Sequence, residues 1–445
     1  MEISKDSTIR TKRAKQNILA MFAIKGVGLL ISFLYIPLLL HTLNTVDYGV
    51  WLTLTSIVSW ISFFDIGLGN GLRNKLCEAI SINDIQKARE LVSTAYVSLV
   101  TFVVFLILLF LCFYSIIPWK QILNATSSDI NNLDLLALIV VISFLLNFAL
   151  SLINSILYAL QLPAISSGLL TCGQFLSFVT VYILINNGVS SLFELGIVIA
   201  IIPPLVSFAA STYLFLTKFK NISPSIHLFK KNHIKSIFSL GIKFFILQII
   251  TLILYYSNNL IVTHVVGNEA VVNYNIVYKY AHILTMLFTI IATPIWSATT
   301  EAYSLGDFEW IKKINNKLIR IAFLFTISGI IMVLVFPFIF DFWLHEIPVG
   351  IDYLLVGLLI SQSVFNIFYG CYGYILNGMG ILKVQLIVTT ILALLYIPNA
   401  IYFGHLWGLK GILFAFLINA VINFSWSKIQ YSKIINHKAE GIWSK

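Results

Sequence analysis

Three lysines stand inside long apolar runs of this chain: Lys25, Lys243 and Lys279. A charge at the centre of a bilayer costs at least ~2.5–3.5 kcal/mol on insertion scales, so each of them needs a wet surface or a partner. Lys25 sits about nine residues inside its run, roughly 13 Å at the helical rise, which is far for its ammonium to snorkel. It reads as facing a hydrated interior, with Gly26 and Gly28 beside it allowing another helix to come close. Lys243 lies nearer the inner end of its run and can snorkel. Around Lys279 the spacing is more telling. Asn275, Lys279 and His282 fall at i, i+4 and i+7, so they share one helix face, and Tyr274 and Tyr278 form the stripe beside it. Donors for oxygens next to rings for apolar faces would suit a wall that holds sugars and phosphates. The alternative is a helix–helix hydrogen-bond seam, worth ~0.6 kcal/mol per contact on average, for which a lysine is a poor choice.

Other polar stripes recur where lipid is expected. Asn147, Ser151 and Asn154 make one, Gln362, Asn366 and Tyr369 another, and Asn258 and Asn259 sit in the middle of a third run. Each alone reads as packing between helices; several together point to a shared hydrated cavity. The segment FFDIGLGNGLRNKL at 63–76 is the most distinctive stretch, with Asp65 before Gly67, Gly69 and Gly71, then Arg73 and Lys75. Such a run can end a helix and turn backbone N–H groups toward an anion, or it can serve as a hinge with no ligand. It lacks the GxxxxGK[ST] spacing of a nucleotide loop. No HExxH, GxSxG or clustered acid pair appears, so neither a catalytic arrangement nor a cofactor is indicated. Asp65, His282 and Glu301 are the candidates for gating or proton coupling.

The elements that must position these residues follow from composition. Of 445 residues, 59% are hydrophobic and 10% charged, and the mean hydropathy is +0.93. Soluble domains carry roughly 25% charged residues. Apolar runs of about 20 residues recur along the chain, each able to cross a ~30 Å hydrocarbon layer as a helix. The expected spans are 16–41, 47–68, 92–117, 134–160, 164–186, 193–217, 237–264, 272–298, 318–344, 350–376, 383–404 and 409–430. No cleavable leader is evident before the first. Of the 28 Lys and Arg residues, 23 fall in the N-terminal tail, alternate loops and the C-terminal stretch; only Lys120 and Lys410 lie in the opposite loops. This split puts both termini on the cytoplasmic side and turns the net charge of +10 into a topology signal rather than a nucleic-acid surface. The four scattered cysteines carry no CxxC spacing and imply neither disulfide nor metal.

The fold class is therefore all-α and polytopic: twelve transmembrane helices in two six-helix bundles. The expected division is an N-terminal bundle over 1–217, a basic cytoplasmic linker over 218–236, a C-terminal bundle over 237–430 and a cytoplasmic tail over 431–445. Both halves open alike, with a basic segment, a lysine inside the first long helix and a tyrosine near the start of the next, as parallel repeats would. Within the 69–91 connection, Leu72, Leu76, Ala79, Ile82, Gln86 and Arg89 recur at helical spacing. They suggest either a short amphipathic helix on the inner interface or an extension of the following span.

The stretch from Asn44 to Leu76, with Asp47-Tyr48-Gly49, Asp65-Ile66-Gly67 and Arg73, resembles the start of Wzx-type O-antigen and polysaccharide flippases. These belong to the multidrug/oligosaccharidyl-lipid/polysaccharide (MOP) exporter superfamily. The likeness extends more loosely to GNEAVVNYNIVYKY at 267–280 and to the twelve-helix layout. It implies a MATE-like pair of bundles around a central cavity that opens alternately to each side. It also implies an undecaprenyl-diphosphate-linked oligosaccharide as substrate, flipped across the bacterial inner membrane with no ATP site. A polysaccharide polymerase and a chain-length regulator become candidate partners, beside membrane lipid. Cationic cavities are typical of the family, and Lys25, Arg73 and Lys279 would fill that role, with Asn258, Asn275, Tyr278 and His282 as further substrate contacts. Two other readings stay open: an ion-coupled drug antiporter of the same fold and a membrane polymerase or glycosyltransferase. An organic-cation exporter wants an acidic cavity, and an enzyme of the latter kind wants a large charged outer loop. Neither is visible here.

Overall fold

The structure is a computed structural model that describes residues 7–43, 47, 50, 51, 54, 55, 67–123, 132–344 and 350–444. Among the described residues every regular element is helical. In chain order these are α1 (Ser7–Thr42), α2 (Leu68–Ser81), α3 (Ile85–Phe113), the single turn α4 (Trp119–Ile122), α5 (Leu133–Leu150) and α6 (Leu152–Ala159). There follow α7 (Pro163–Asn186), α8 (Leu192–Leu216), α9 (Lys231–Val265), α10 (Asn268–Ser304), α11 (Phe308–Leu344), α12 (Tyr353–Met379) and α13 (Lys383–Ile435).

Ten helical stretches among the described residues are long and apolar enough to cross a bilayer. The last, α13, runs 53 residues and leaves helical angles at Trp407 (φ −132°, ψ 17°) and Gly408 (φ 59°, ψ −142°), so it holds the final two expected spans. Of the twelve spans, only 47–68 lies mostly outside the described residues, and with it Tyr48, Gly49, Asp65 and Ile66 of the distinctive N-terminal motif.

The chain divides into two compact units, Met1–Ile242 and Lys243–Lys445, each with its own apolar core. Residues 218–236 are not a loose tether within the first unit. Arg89 Nε donates to the Ser223 carbonyl at 3.1 Å, the Ser225 N–H to Ser93 Oγ at 3.0 Å, and the Lys230 N–H to Thr94 Oγ1 at 3.1 Å. His233 Nε2 lies 3.0 Å from Glu90 Oε2, and Lys230 Nζ lies 3.6 Å from Glu90 Oε1. The polar side chains at the start of α3 thus satisfy backbone groups of the segment that leads into α9. In the second unit the tail folds back: Lys433 covers the Trp443 ring at 4.3 Å.

The helix α2 is separate from α3, because Asn83 turns the chain (φ 61°) and Asp84 caps α3 by accepting the Lys87 N–H at 3.0 Å. Its apolar face is covered by the protein at Leu72, Leu76 and Ala79, whereas Ile82 just past its end is exposed. The glycines of 63–76 acquire structural reasons here. Gly67 adopts φ 63° to start α2, and a Cβ on Gly71 would lie 2.4 Å from the Ile237 carbonyl oxygen of α9. Close helix approach therefore accounts for Gly71 without an anion. Gly71→Ala is expected to lower the thermal midpoint of the detergent-solubilised protein, at a cost of about 1–3 kcal/mol for overpacking. Gly26→Ala, where a Cβ meets nothing within 4 Å, should leave it unchanged or raise it.

In the second unit Asp352 caps α12, accepting the Leu355 N–H at 2.9 Å, and pairs with Lys410 just beyond the break in α13. Burial pushes its carboxyl up, but the Lys410 hydrogen bond, the Leu355 N–H and the Lys410 charge together hold it below the usual carboxylate value. A depressed carboxyl stabilises the fold above its unfolded pKa, and the contribution is lost as pH falls through the folded one. Both partners are exposed, so Lys410→Met should cost under about 1 kcal/mol at neutral pH and low salt. That difference should fade when melting is repeated in acid.

Candidate functional site

Within the C-terminal unit a cavity of about 420 Å³ is lined by α10, α12 and α13, with Ile250 of α9 at its edge. The helical period explains which residues reach it. His282, Thr285 and Thr289 follow at i, i+3 and i+7 on α10, and Gln362, Asn366, Tyr369 and Asn377 occupy one face of α12. Thr389, Asn419 and Asn423 come from α13, while Phe288, Tyr369, Tyr374 and Phe416 supply aromatic surface. No Asp, Glu, Lys or Arg is among the described lining residues. Gly370 and Gly373 of α12 also border it, and a Cβ on Gly370 would meet the Phe288 ring at 2.7 Å.

Two hydrogen-bond chains set the polarity of the walls. Trp426 Nε1 donates to Asn423 Oδ1 at 3.0 Å, and Asn423 Nδ2 donates to Asn419 Oδ1 at 2.8 Å. An indole can only donate, so the amide of Asn423 has one allowed orientation and Asn419 is left presenting its NH₂. That Nδ2 is buried with no partner among the described residues, although Asn419 as a whole is only 6% exposed. On α12, Tyr369 accepts from Gln385 Nε2 at 2.9 Å. The hydroxyl protons of Thr289 and Thr389 go to the carbonyls of Thr285 (2.8 Å) and Gln385 (2.6 Å), which leaves their oxygens as acceptors.

The residues singled out by sequence separate into different environments. His282 lines the cavity, Tyr278 stacks on it (5.4 Å, 15°), and Tyr274 continues the ladder at 5.6 Å from Tyr278. Lys279 is exposed on the same helix, and Asn275 is half-buried a turn before it; neither lines the cavity. Asn258 is fully buried in a seam, its Oδ1 accepting the Tyr396 hydroxyl. The Asn147–Asn154 stripe also resolves into seams: Ser207 Oγ donates to Asn147 Oδ1 at 3.3 Å and Ser166 Oγ to Asn154 Oδ1 at 2.9 Å. In the N-terminal unit, Lys25 is half-buried on α1, close to where Gly28 meets Thr171 of α7. Arg73 is 4% exposed, with its guanidinium 4.9 Å over the Tyr158 ring. Glu301 is buried near the end of α10. Asp65 lies outside the described residues.

The Asn419–Asn423–Trp426 series is absent from the sequence reading, although its i, i+4, i+7 spacing in AFLINAVINFSW is the same signal that marked α10. Thr285, Thr289 and Thr389 escaped because a lone threonine in an apolar helix usually bonds its own preceding carbonyl.

A family model described as polysaccharide biosynthesis protein matches residues 14–299. The chain belongs to this family. A Salmonella typhi protein named for O-antigen transport is 23% identical over 426 residues, covering 92% of each chain. A Yersinia pseudotuberculosis protein named for O-antigen export is 23% identical over 416 residues, 90% of this chain and 91% of its own. Among solved structures, a MATE transporter of Vibrio cholerae superposes with a TM-score of 0.78 at 15% identity, over 99% of both chains. An outward-facing multidrug-resistance MATE transporter of the MOP superfamily gives 0.74 at 17%, over 98% of this chain and all of its own. The family match thus agrees with the resemblance drawn from 44–76, and this family member has the MATE-like, all-α fold of the MOP exporters.

If the cavity is wet, its walls must be reachable by a small polar reagent. In a background lacking the exposed native Cys112 and Cys172, cysteines at His282 and Thr289 should react with a water-soluble thiol reagent. Cysteines at Ala281 and Leu284, which are 1% and 3% exposed on the same helix, should not. Equal protection of all four would mean a closed seam.

Proposed function

We propose that this family member is a membrane transporter, not an enzyme. In this reading it flips an undecaprenyl-diphosphate-linked oligosaccharide, a unit of O-antigen or a related surface polysaccharide, between leaflets. The direction is cytoplasmic to periplasmic across the bacterial inner membrane, by alternating access. The observation that carries the reading is the end-to-end likeness to relatives named for O-antigen transport and export. Physical chemistry supports it. A diphosphate crossing a low-dielectric layer needs fixed positive partners, since unit charges 4 Å apart interact with ~4 kcal/mol even at an effective dielectric of ~20. Lys25 and Lys279 are available for that role, because neither pairs with a carboxylate among the described residues. Arg73, engaged by Tyr158, would act by holding the N-terminal unit's interior positive.

The MATE neighbours favour a second reading, an ion-coupled drug antiporter of the same fold. A cation cargo is poorly served by a cavity with no Asp or Glu among its described lining residues. A polymerase or glycosyltransferase finds little support from outer connections such as 118–133, which carries one lysine and one aspartate. Energy would come from an ion gradient or from consumption of the flipped product, with Asp65, His282 and Glu301 as the residues to examine for proton coupling.

Lys25→Ala and Lys279→Ala should each cut surface glycan about tenfold while the membrane content of the protein stays constant. A tenfold loss corresponds to ~1.4 kcal/mol, the worth of one charge-assisted contact. Quantifying surface glycan and lipid-linked precursor in complemented deletion cells checks this. Normal glycan in both variants would remove the cationic role, and a deletion that changes drug sensitivity but not glycan would favour the antiporter.

A further inference from the structure

Among the described residues the cavity of the C-terminal unit is lined by no Asp, Glu, Lys or Arg, yet it is not apolar. Gln362 is 3% exposed overall and lines the cavity. Asn419 is held by the Trp426–Asn423 relay in the orientation that leaves an N–H unpaired. A buried unpaired N–H is costly unless something fills its bonding capacity, because it forfeits its hydration. Water can do so, but the rest of the wall is specific about what else can. Thr289 and Thr389 have spent their protons on helix carbonyls and offer only lone pairs. The pocket therefore presents donors from one pair of residues and acceptors from another, between aromatic rings.

We propose that this cavity is a subsite for uncharged sugar residues of the cargo, and that it rejects acidic ones. Hydroxyl groups both donate and accept, so a neutral sugar can satisfy the amides and the threonine oxygens at once. Its C–H faces would lie against Phe288, Tyr374 and Phe416. A carboxylate or phosphate only accepts, so it could use the amide donors but would meet the threonine lone pairs with no Lys or Arg among the described lining residues to offset its desolvation. A purely hydrocarbon ligand would leave the Asn419 N–H unsatisfied. The volume, about 420 Å³, falls in the range of roughly 300–1,000 Å³ of small-molecule sites. The source of the sugar rests on the flippase reading; the chemistry of the pocket does not.

The test is thermal denaturation of the full-length purified protein with a panel of neutral hexoses and N-acetylhexosamines, with glucuronate as the anionic control. A ligand that binds only the folded state raises the midpoint in proportion to its saturation. At least one neutral sugar should raise the wild-type midpoint, and glucuronate should not. Gln362→Leu should need about tenfold more sugar for the same shift, the usual effect of losing one buried hydrogen-bonding group. Thr289→Val, which keeps the shape and removes the acceptor, should behave likewise if the leucine variant fails to fold. Absence of any shift with every neutral sugar, an equal shift with glucuronate, or an unchanged shift in both variants overturns the subsite. Surface glycan measured in the same strains separates the two readings. Intact export by a wild-type protein that binds no sugar discards the subsite alone, whereas sugar binding by a protein whose deletion leaves glycan unchanged discards the flippase reading.

Discussion

A backbone that crosses ~30 Å of hydrocarbon has no water to bond with, so every peptide group must be satisfied within the protein. Helices meet that demand locally, which explains why every regular element among the described residues is a helix. The same demand then passes to the side chains. A polar group in an apolar helix has three exits: its own backbone, a neighbouring helix, or a space that holds something polar. Much of the architecture follows from how each one is settled.

Many of these groups are settled within the fold. Thr300 donates to the Gly378 carbonyl at 2.8 Å and joins α10 to α12. Tyr35 and Ser177 join α1 to α7 at 2.9 Å, and Asn17 donates to the Gln161 carbonyl where the chain turns between α6 and α7. Arg73, the most buried of the cations considered, is covered by an aromatic ring. Against this background Asn419 bears on the cavity, since its Nδ2 is buried without a partner among the described residues and Gln362 lines the same space.

The sequence made the helices legible because about 20 apolar residues in a row have few other solutions in lipid. It made the break at Trp407–Gly408 legible too, since the two final spans were separated there although the helix is otherwise continuous. It was less informative about which polar stripes matter. Asn147–Asn154 and Gln362–Tyr369 look alike in one dimension. Only the partners on other helices show that the first is a seam and the second a wall. The glycines of 63–76 were ambiguous for the same reason. Their role depends on Ile237, which lies far along the chain and meets Gly71 only after folding. The anchoring of 218–236 to α3 was equally hidden, because it depends on Ser93, Thr94 and Glu90 facing that segment.

Movement of a lipid-linked glycan between leaflets can be measured without a cell. Purified protein would be reconstituted into liposomes carrying a polyprenyl-diphosphate oligosaccharide, and an added glycosidase that cannot enter would report how much glycan faces outward. In protein-free vesicles cleavage should stop at the fraction in the outer leaflet, whereas in vesicles containing a flippase it should proceed to nearly all of the glycan. Cleavage that stops at the same fraction with and without the protein, in vesicles shown to contain folded protein, would contradict the flippase reading.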